Sequence, residues 1–172
     1  MGKKSVRENK NMYQLSREEA GMTRAEASEA MKFVTESQIE KIESEKSEPH
    51  PEEIMAMAEA YKKPSLCNYY CSKECPIGQE YVPEVKIKDL SQIVLEMLAS
   101  LNALNREKDR LIEITADGII SDNELADFVT IQDKLNQISL TIDSLKLWVN
   151  NTIASGAIDK GRLEEARKKI RP

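Results

Sequence analysis

The sequence predicts an all-α protein: a head of five short helices, a linker, and an antiparallel helical hairpin followed by a short terminal helix. Three observations carry this. Charged residues make up 32% of the 172 residues and aromatics 5%, with 6 Gly and 6 Pro, a composition that favours helix over sheet. Residues 15–61 hold short apolar patterns of helical period separated by tight turns. From residue 89 onward, two long series of apolar residues recur at three- and four-residue steps.

In chain order, the first helix is expected from about Asn9 to Ala20, with Gly21 closing it as a C-cap. Thr23 then caps the second helix, and Glu26 three residues later completes a capping box. In TRAEASEAM, Met22, Ala27 and Met31 share one face, and the small Ala27 and Ser28 admit close approach of another helix. After a break at residues 32–35, SQIEKIES begins again with Ile39 and Ile42 on one face. Pro51 suits the first turn of a fourth helix, where its missing N–H costs nothing. The expected core is Leu15, Met22, Ala27, Met31, Val34, Ile39, Ile42, Ile54, Met57 and Ala58. A small-residue helix, a turn and a second short helix form the helix-turn-helix pattern.

These segments resemble the phage-repressor-like helix-turn-helix regulators of the xenobiotic-response-element type. REEAGMT (Arg17 to Thr23) is similar to the end of that family's first helix and the start of its second, and RAEASEAM to the body of the second. QIEKIE is similar to its recognition helix, and EKSEPHPEEIMAMAEAY to its loop and fourth helix. The resemblance covers roughly residues 8–70. It departs at the turn MKFVTES, which is one residue longer and lacks the usual Gly, and in the acidity of the recognition helix.

The resemblance implies a sequence-specific transcriptional regulator, most simply a repressor, that meets double-stranded DNA as a homodimer on a pseudo-palindromic operator. It places DNA contacts on Arg24 and on the exposed face of the third helix: Glu36, Ser37, Gln38, Lys41 and Ser44, with Lys46 just beyond. In that setting Gln38 suits a bidentate contact to adenine, and Arg24, Lys41 and Lys46 suit phosphates. Arg17 and Glu43 fall where the family commonly has a structural ion pair. Charge complicates this expectation. Residues 35–60 carry eight Glu against two Lys, a local net of −6, and any Glu facing a duplex repels phosphate. Glu36 and Glu40 are the exposed cases, although Glu also accepts a hydrogen bond from cytosine N4. The alternative is a protein-interaction adaptor or antitoxin-like module that keeps the fold without operator DNA.

Several segments fall outside the motif. Lys3, Lys4, Arg7 and Lys10 against Glu8 give residues 1–10 a net of +3, which reads either as a DNA-contacting arm or as a solvated terminus. Cys67, Cys71 and Cys75 recur every four residues, so one helix would line all three along a face. Buried small side chains are the plain reading. Three thiols are one ligand short of a closed tetrahedral site unless His50 joins them, so no metal is assigned; a redox sensor is a further alternative. Pro76, Gly78 and Pro83 break helical continuity and mark residues 76–88 as linker, between a domain at 1–75 and one at 89–172.

The hairpin rests on Leu90, Val94, Met97, Leu101, Leu104 and Leu111, then on Phe128, Ile131, Leu135, Ile138, Ile142, Leu145 and Val149. Between the two series, Gly118 stops one helix and Ser121 with Glu124 caps the next. Asp117, Gly118, Ser121 and Glu124 also fit half of a calcium loop, but the capping explanation accounts for the last three. Two helices of roughly 25 to 30 residues leave an apolar stripe each, so dimerisation through residues 89–155 is expected. A last short helix starts at Asp159, and residues 162–172 carry five Lys/Arg against two Glu.

Other classes are disfavoured. No apolar run approaches the roughly 20 residues of a membrane helix, no signal region follows the N-terminal lysines, and a cytoplasmic protein with reduced thiols is expected. One His, no Gly-rich phosphate loop and no nucleophile context argue against an enzyme and against any cofactor. The hairpin shows no pocket pattern, so no small-molecule ligand is expected. The net charge of −5 is the wrong sign for indiscriminate coating of nucleic acid.

Overall fold

A computed structural model describes residues 9–170, and among them every regular element is a helix. In order these are α1 (Met12–Glu19), α2 (Arg24–Met31), α3 (Glu36–Glu43), α4 (Pro51–Ala60), α5 (Ser65–Lys73), α6 (Pro76–Tyr81), α7 (Leu90–Arg106), α8 (Lys108–Ile114), α9 (Leu125–Ala154) and α10 (Lys160–Ile170). The chain divides into two compact units, one of residues up to Glu84 together with those from Val149 onward, the other Val85–Trp148. None of these helices is long and apolar enough to cross a membrane.

Local chemistry sets the ends of the head helices. Asn11 caps α1 by accepting from the Gln14 N–H at 3.0 Å, and its amide donates to the Ile42 carbonyl at 2.8 Å, tying the start of α1 to the end of α3. Gly21, at φ +71°, closes α1 in a Schellman arrangement: its N–H reaches Glu18 O and the Met22 N–H reaches Arg17 O. The expected box on α2 is formed. Thr23 Oγ1 accepts from the Glu26 N–H at 3.2 Å, and the Glu26 carboxylate accepts from the Thr23 N–H at 2.7 Å, which holds that carboxyl below its usual range. Pro51 opens α4 as expected, and Glu53 accepts from the His50 N–H at 2.8 Å.

The core of the head is Tyr13, Ala27, Met31, Val34, Ile39, Ile42, Ile54, Met57, Ala58, Tyr61 and Leu66. Burying aliphatic side chains of this size contributes about 1.5–3 kcal/mol each. Leu15, expected in this core, is instead exposed on α1. It lies two residues past Tyr13, so it points away from the side that buries Tyr13, Ser16 and Arg17. Met22 sits at the margin of the core rather than within it.

The stretch read as linker begins with structure. Residues 76–81 form α6, which packs against α5 so closely that a Cβ on Gly78 would lie 2.1 Å from the Cys71 carbonyl oxygen. Only glycine fits there, and the extended segment starts after it.

In the second unit the first arm of the hairpin is two helices, not one. The Glu107 N–H bonds back three residues to Leu104 O, ending α7, and its carboxylate pairs with Lys134 on α9. Arg110 Nε meets Asp127 Oδ2 at 2.7 Å. From Glu107 to Arg110 the partners on α9 run back from Lys134 to Asp127, so the two arms of the hairpin are antiparallel. Gly118, at φ +74°, makes the turn, and Glu124 accepts from the Ser121 N–H at 3.0 Å, as the capping pattern predicts. The packed face is only partly the one expected: Ile131 is buried as predicted, but Ile93 and Ile114 lie outside the predicted series. Ile93, Ile114 and Ile131 are buried, whereas Leu90, Val94, Leu101, Leu135 and Ile142 remain exposed. Ile93 is the buried residue of α7, while Leu90, Val94 and Leu101 of the predicted stripe are exposed. Leu101, Leu104 and Leu111 line an open groove of about 460 Å³ with Asn102, Asn105 and Lys108.

Candidate nucleic-acid interface

The site begins with the turn between α2 and α3. Lys32 adopts φ +65° and ψ −43°, and the Phe33 N–H bonds to Met31 O at 2.8 Å, a γ-turn of the rare left-handed sort. This is the longer, glycine-free turn seen in the sequence. Ser28 Oγ braces it by donating to Val34 O at 2.8 Å. Thr35 then caps α3 through the Gln38 N–H, so the first turn of α3 is held from both sides.

On α3, Ile39, Ile42 and Glu43 face inward. The opposite face is centred on Ser37, Lys41 and Ser44, with Glu36 and Glu40 on one flank and the half-buried Gln38 on the other. The structure thus brings Glu36, Ser37, Gln38, Lys41 and Ser44 onto one outward surface, and Lys46 is exposed one turn beyond. Ser44 Oγ is turned back to the Lys41 carbonyl at 3.3 Å.

Arg24 is placed differently from a free cation. Its Nε donates to Glu43 Oε2 at 2.9 Å, while Arg17 Nε and Nη2 donate to Glu43 Oε1 and Oε2 at 2.6 and 3.0 Å. Arg17 Nη1 reaches the Met22 carbonyl at 2.7 Å. One buried carboxylate therefore clamps α1, α2 and α3 together, and it neutralises one of the three glutamates of α3. The Arg17–Glu43 pair that the resemblance implied is present; the third member, Arg24, was not legible because two-residue pairing rules say nothing about shared carboxylates. Tyr61 also lies near Glu43, and its hydroxyl has no hydrogen-bond partner among the described residues; burial first and the Glu43 charge next raise its pKa.

Other sequence candidates fall elsewhere. Of the N-terminal cations, Lys3, Lys4 and Arg7 lie outside the described residues, and Lys10 pairs with Glu18 at 2.6 Å. The cysteines do not line one helix: α5 carries Cys67 and Cys71 but ends at Lys73, and Cys75 caps α6. All three are free thiols, and burial pushes the Cys67 thiol up. His50 sits at the start of α4, and among the described residues no group of His, Cys, Asp and Glu converges as metal ligands do. Phe33, exposed at the tip of the turn beside α3, was not singled out because it falls in the break at residues 32–35, where no periodic pattern assigns it a face.

Comparison with known families agrees with this geometry. The sequence model of the helix-turn-helix family matches residues 15–65, the span from α1 to the start of α5. No curated protein and no solved structure matches the chain. The match covers the helix-turn-helix segment alone, and a segment of this kind supports a DNA-binding transcription regulator in general.

Proposed function

We propose that this helix-turn-helix protein is a cytoplasmic, sequence-specific repressor that acts as a homodimer on a pseudo-palindromic operator. The observation that carries the reading is the outward face of α3, where Ser37, Gln38, Lys41 and Ser44 are presented together on a helix clamped from behind by Arg17, Glu43 and Arg24. In this reading Gln38 reads a base edge, Lys41 and Lys46 meet phosphates, and Arg24 meets phosphate while Glu43 fixes its direction. Glu36 or Glu40 accepts from a cytosine amino group, and the other faces solvent. The exposed apolar margin of the second unit supports dimerisation through residues 89–155, with heads set about one helical turn of DNA apart.

A second reading is supported by the same two flanking glutamates: an adaptor or antitoxin-like module whose α3 meets a basic protein surface. In vitro selection of random duplexes by the purified full chain, near physiological salt, separates the two. Enrichment of an inverted repeat supports the repressor; a folded dimer that enriches nothing favours the adaptor. On an enriched site, Gln38→Ala is expected to weaken binding by roughly 1–3 kcal/mol and to relax one position, while Lys46→Ala weakens all sequences alike. Equal losses for both variants on random DNA would remove Gln38 from the base-reading role.

A further inference from the structure

The recognition surface is short of positive charge. Within the head, Lys10, Arg17, Arg24 and Lys63 are engaged by Glu18, Glu43 and Glu19, and Lys73 by Glu84. On α3 itself Lys41 is the single cation, beside the exposed Glu36 and Glu40. Affinity for duplex DNA comes largely from cations that displace counterions from phosphates, and on α3 and just beyond it only Lys41 and Lys46 are exposed without an ion pair among the described residues, so further cations would strengthen binding.

α10 offers them. Its sequence KGRLEEARKKI holds five cations and two glutamates, a net of +3 by subtraction. Arg167 pairs with Glu164 at 2.7 Å, whereas Lys160, Arg162, Lys168 and Lys169 make no ion pair among the described residues. Arg162 and Lys169 are seven residues apart and so share one face, two turns along. The helix is firmly started, with Asp159 Oδ1 accepting from the Arg162 N–H at 2.7 Å, yet it buries no residue. A helix of 11 residues without a packed face is marginal on its own, so a partner completes it. It also belongs to the same compact unit as the helix-turn-helix.

We infer that α10 is a second DNA-contacting element, whose Arg162, Lys168 and Lys169 bind the sugar-phosphate backbone and add to the few phosphate contacts of Arg24, Lys41 and Lys46. The inference rests on the DNA-binding reading of the head. It assigns α10 affinity without sequence preference, because phosphate contacts position a protein but do not read bases.

The test measures the affinity of the full chain for duplex DNA between about 50 and 200 mM salt and takes the slope of log K against log salt. Replacing Arg162→Gln, Lys168→Gln and Lys169→Gln together is expected to flatten the slope by roughly 2 to 3, at about 0.9 per lost phosphate contact. Base preference should not change. The opposite variant, Glu164→Gln with Glu165→Gln, should steepen the slope and tighten binding, so a folding defect cannot imitate both results. Wild-type binding with the same slope in all three proteins overturns the inference. So does an unchanged DNA slope combined with loss of binding to anionic phospholipid vesicles, which would make α10 a membrane-surface helix. Failure of the wild-type chain to bind any duplex would instead bring down the parent reading, a result told apart by the unmutated protein alone.

Discussion

The helix-turn-helix head and the Val85–Trp148 unit are both helical, yet they use their apolar residues in opposite ways. In the head, α1 to α5 surround a closed core in which Ile39 and Met57 are fully buried. In the second unit, Ile93, Ile114 and Ile131 are buried, but Leu95 and Leu98 remain 70% and 53% exposed. The difference follows from layer number. Five short helices crossing one another can enclose a side chain from every direction, whereas two antiparallel arms cover each apolar stripe from one side only. A head of this kind encloses its core within one chain; the second unit leaves apolar surface exposed.

The largest test of that contrast strikes the polar clamp of the head. Glu43→Ala leaves the Arg17 guanidinium buried without its carboxylate, and a loss of about 3–5 kcal/mol is expected in urea denaturation. A loss below about 1 kcal/mol would show that the guanidinium escapes to water. Next comes a matched pair. Ile39→Ala should cost roughly 2–5 kcal/mol, whereas Leu98→Ala, measured at dilutions where the chain is monomeric, should stay within about 0.5 kcal/mol. Equal costs would erase the distinction between closed and open layers. Leu135→Asp then asks what covers the open layer: monomers in sedimentation are expected, with the thermal transition of the head unmoved, and an unchanged mass would move the dimer interface elsewhere. The smallest effect concerns the turn. Lys32→Gly removes the Cβ clash of a left-handed φ and should raise stability by about 1 kcal/mol or less, read as a small rise in Tm.

Much of the head was legible because its signals are local. Thr23 with Glu26, Gly21 and Pro51 in the head, and Ser121 with Glu124 in the second unit, act within three or four residues of themselves, and each forms the structure its spacing predicts. Leu15 was misread because a helix's inward face is chosen by what packs on it, and here Tyr13 and Arg17 outcompeted a leucine. The seam of α7 was misread for a related reason: Val94 and Ile93 are both apolar neighbours, and periodicity alone cannot say which one is buried. The same limit hid α6, where Pro76 and Gly78 look like breakers. Pro76 in fact starts a helix, and Gly78 lets that helix lie on the Cys71 backbone.

What the sequence by itself determined is the class of the protein: its helices, their caps, the helix-turn-helix order, and the residues offered by the third helix. All depend on short-range periodicity and capping, which act before distant parts of the chain meet. What only the tertiary structure decided is how charge and apolar surface are spent. It placed Glu43 between Arg17 and Arg24, turned Lys32 into a glycine-free γ-turn, left part of the apolar surface of α7 and α9 exposed, and left α10 without a fully buried residue. Those outcomes turn on which side chains converge from separate helices, and convergence is a property of packing that no local spacing encodes.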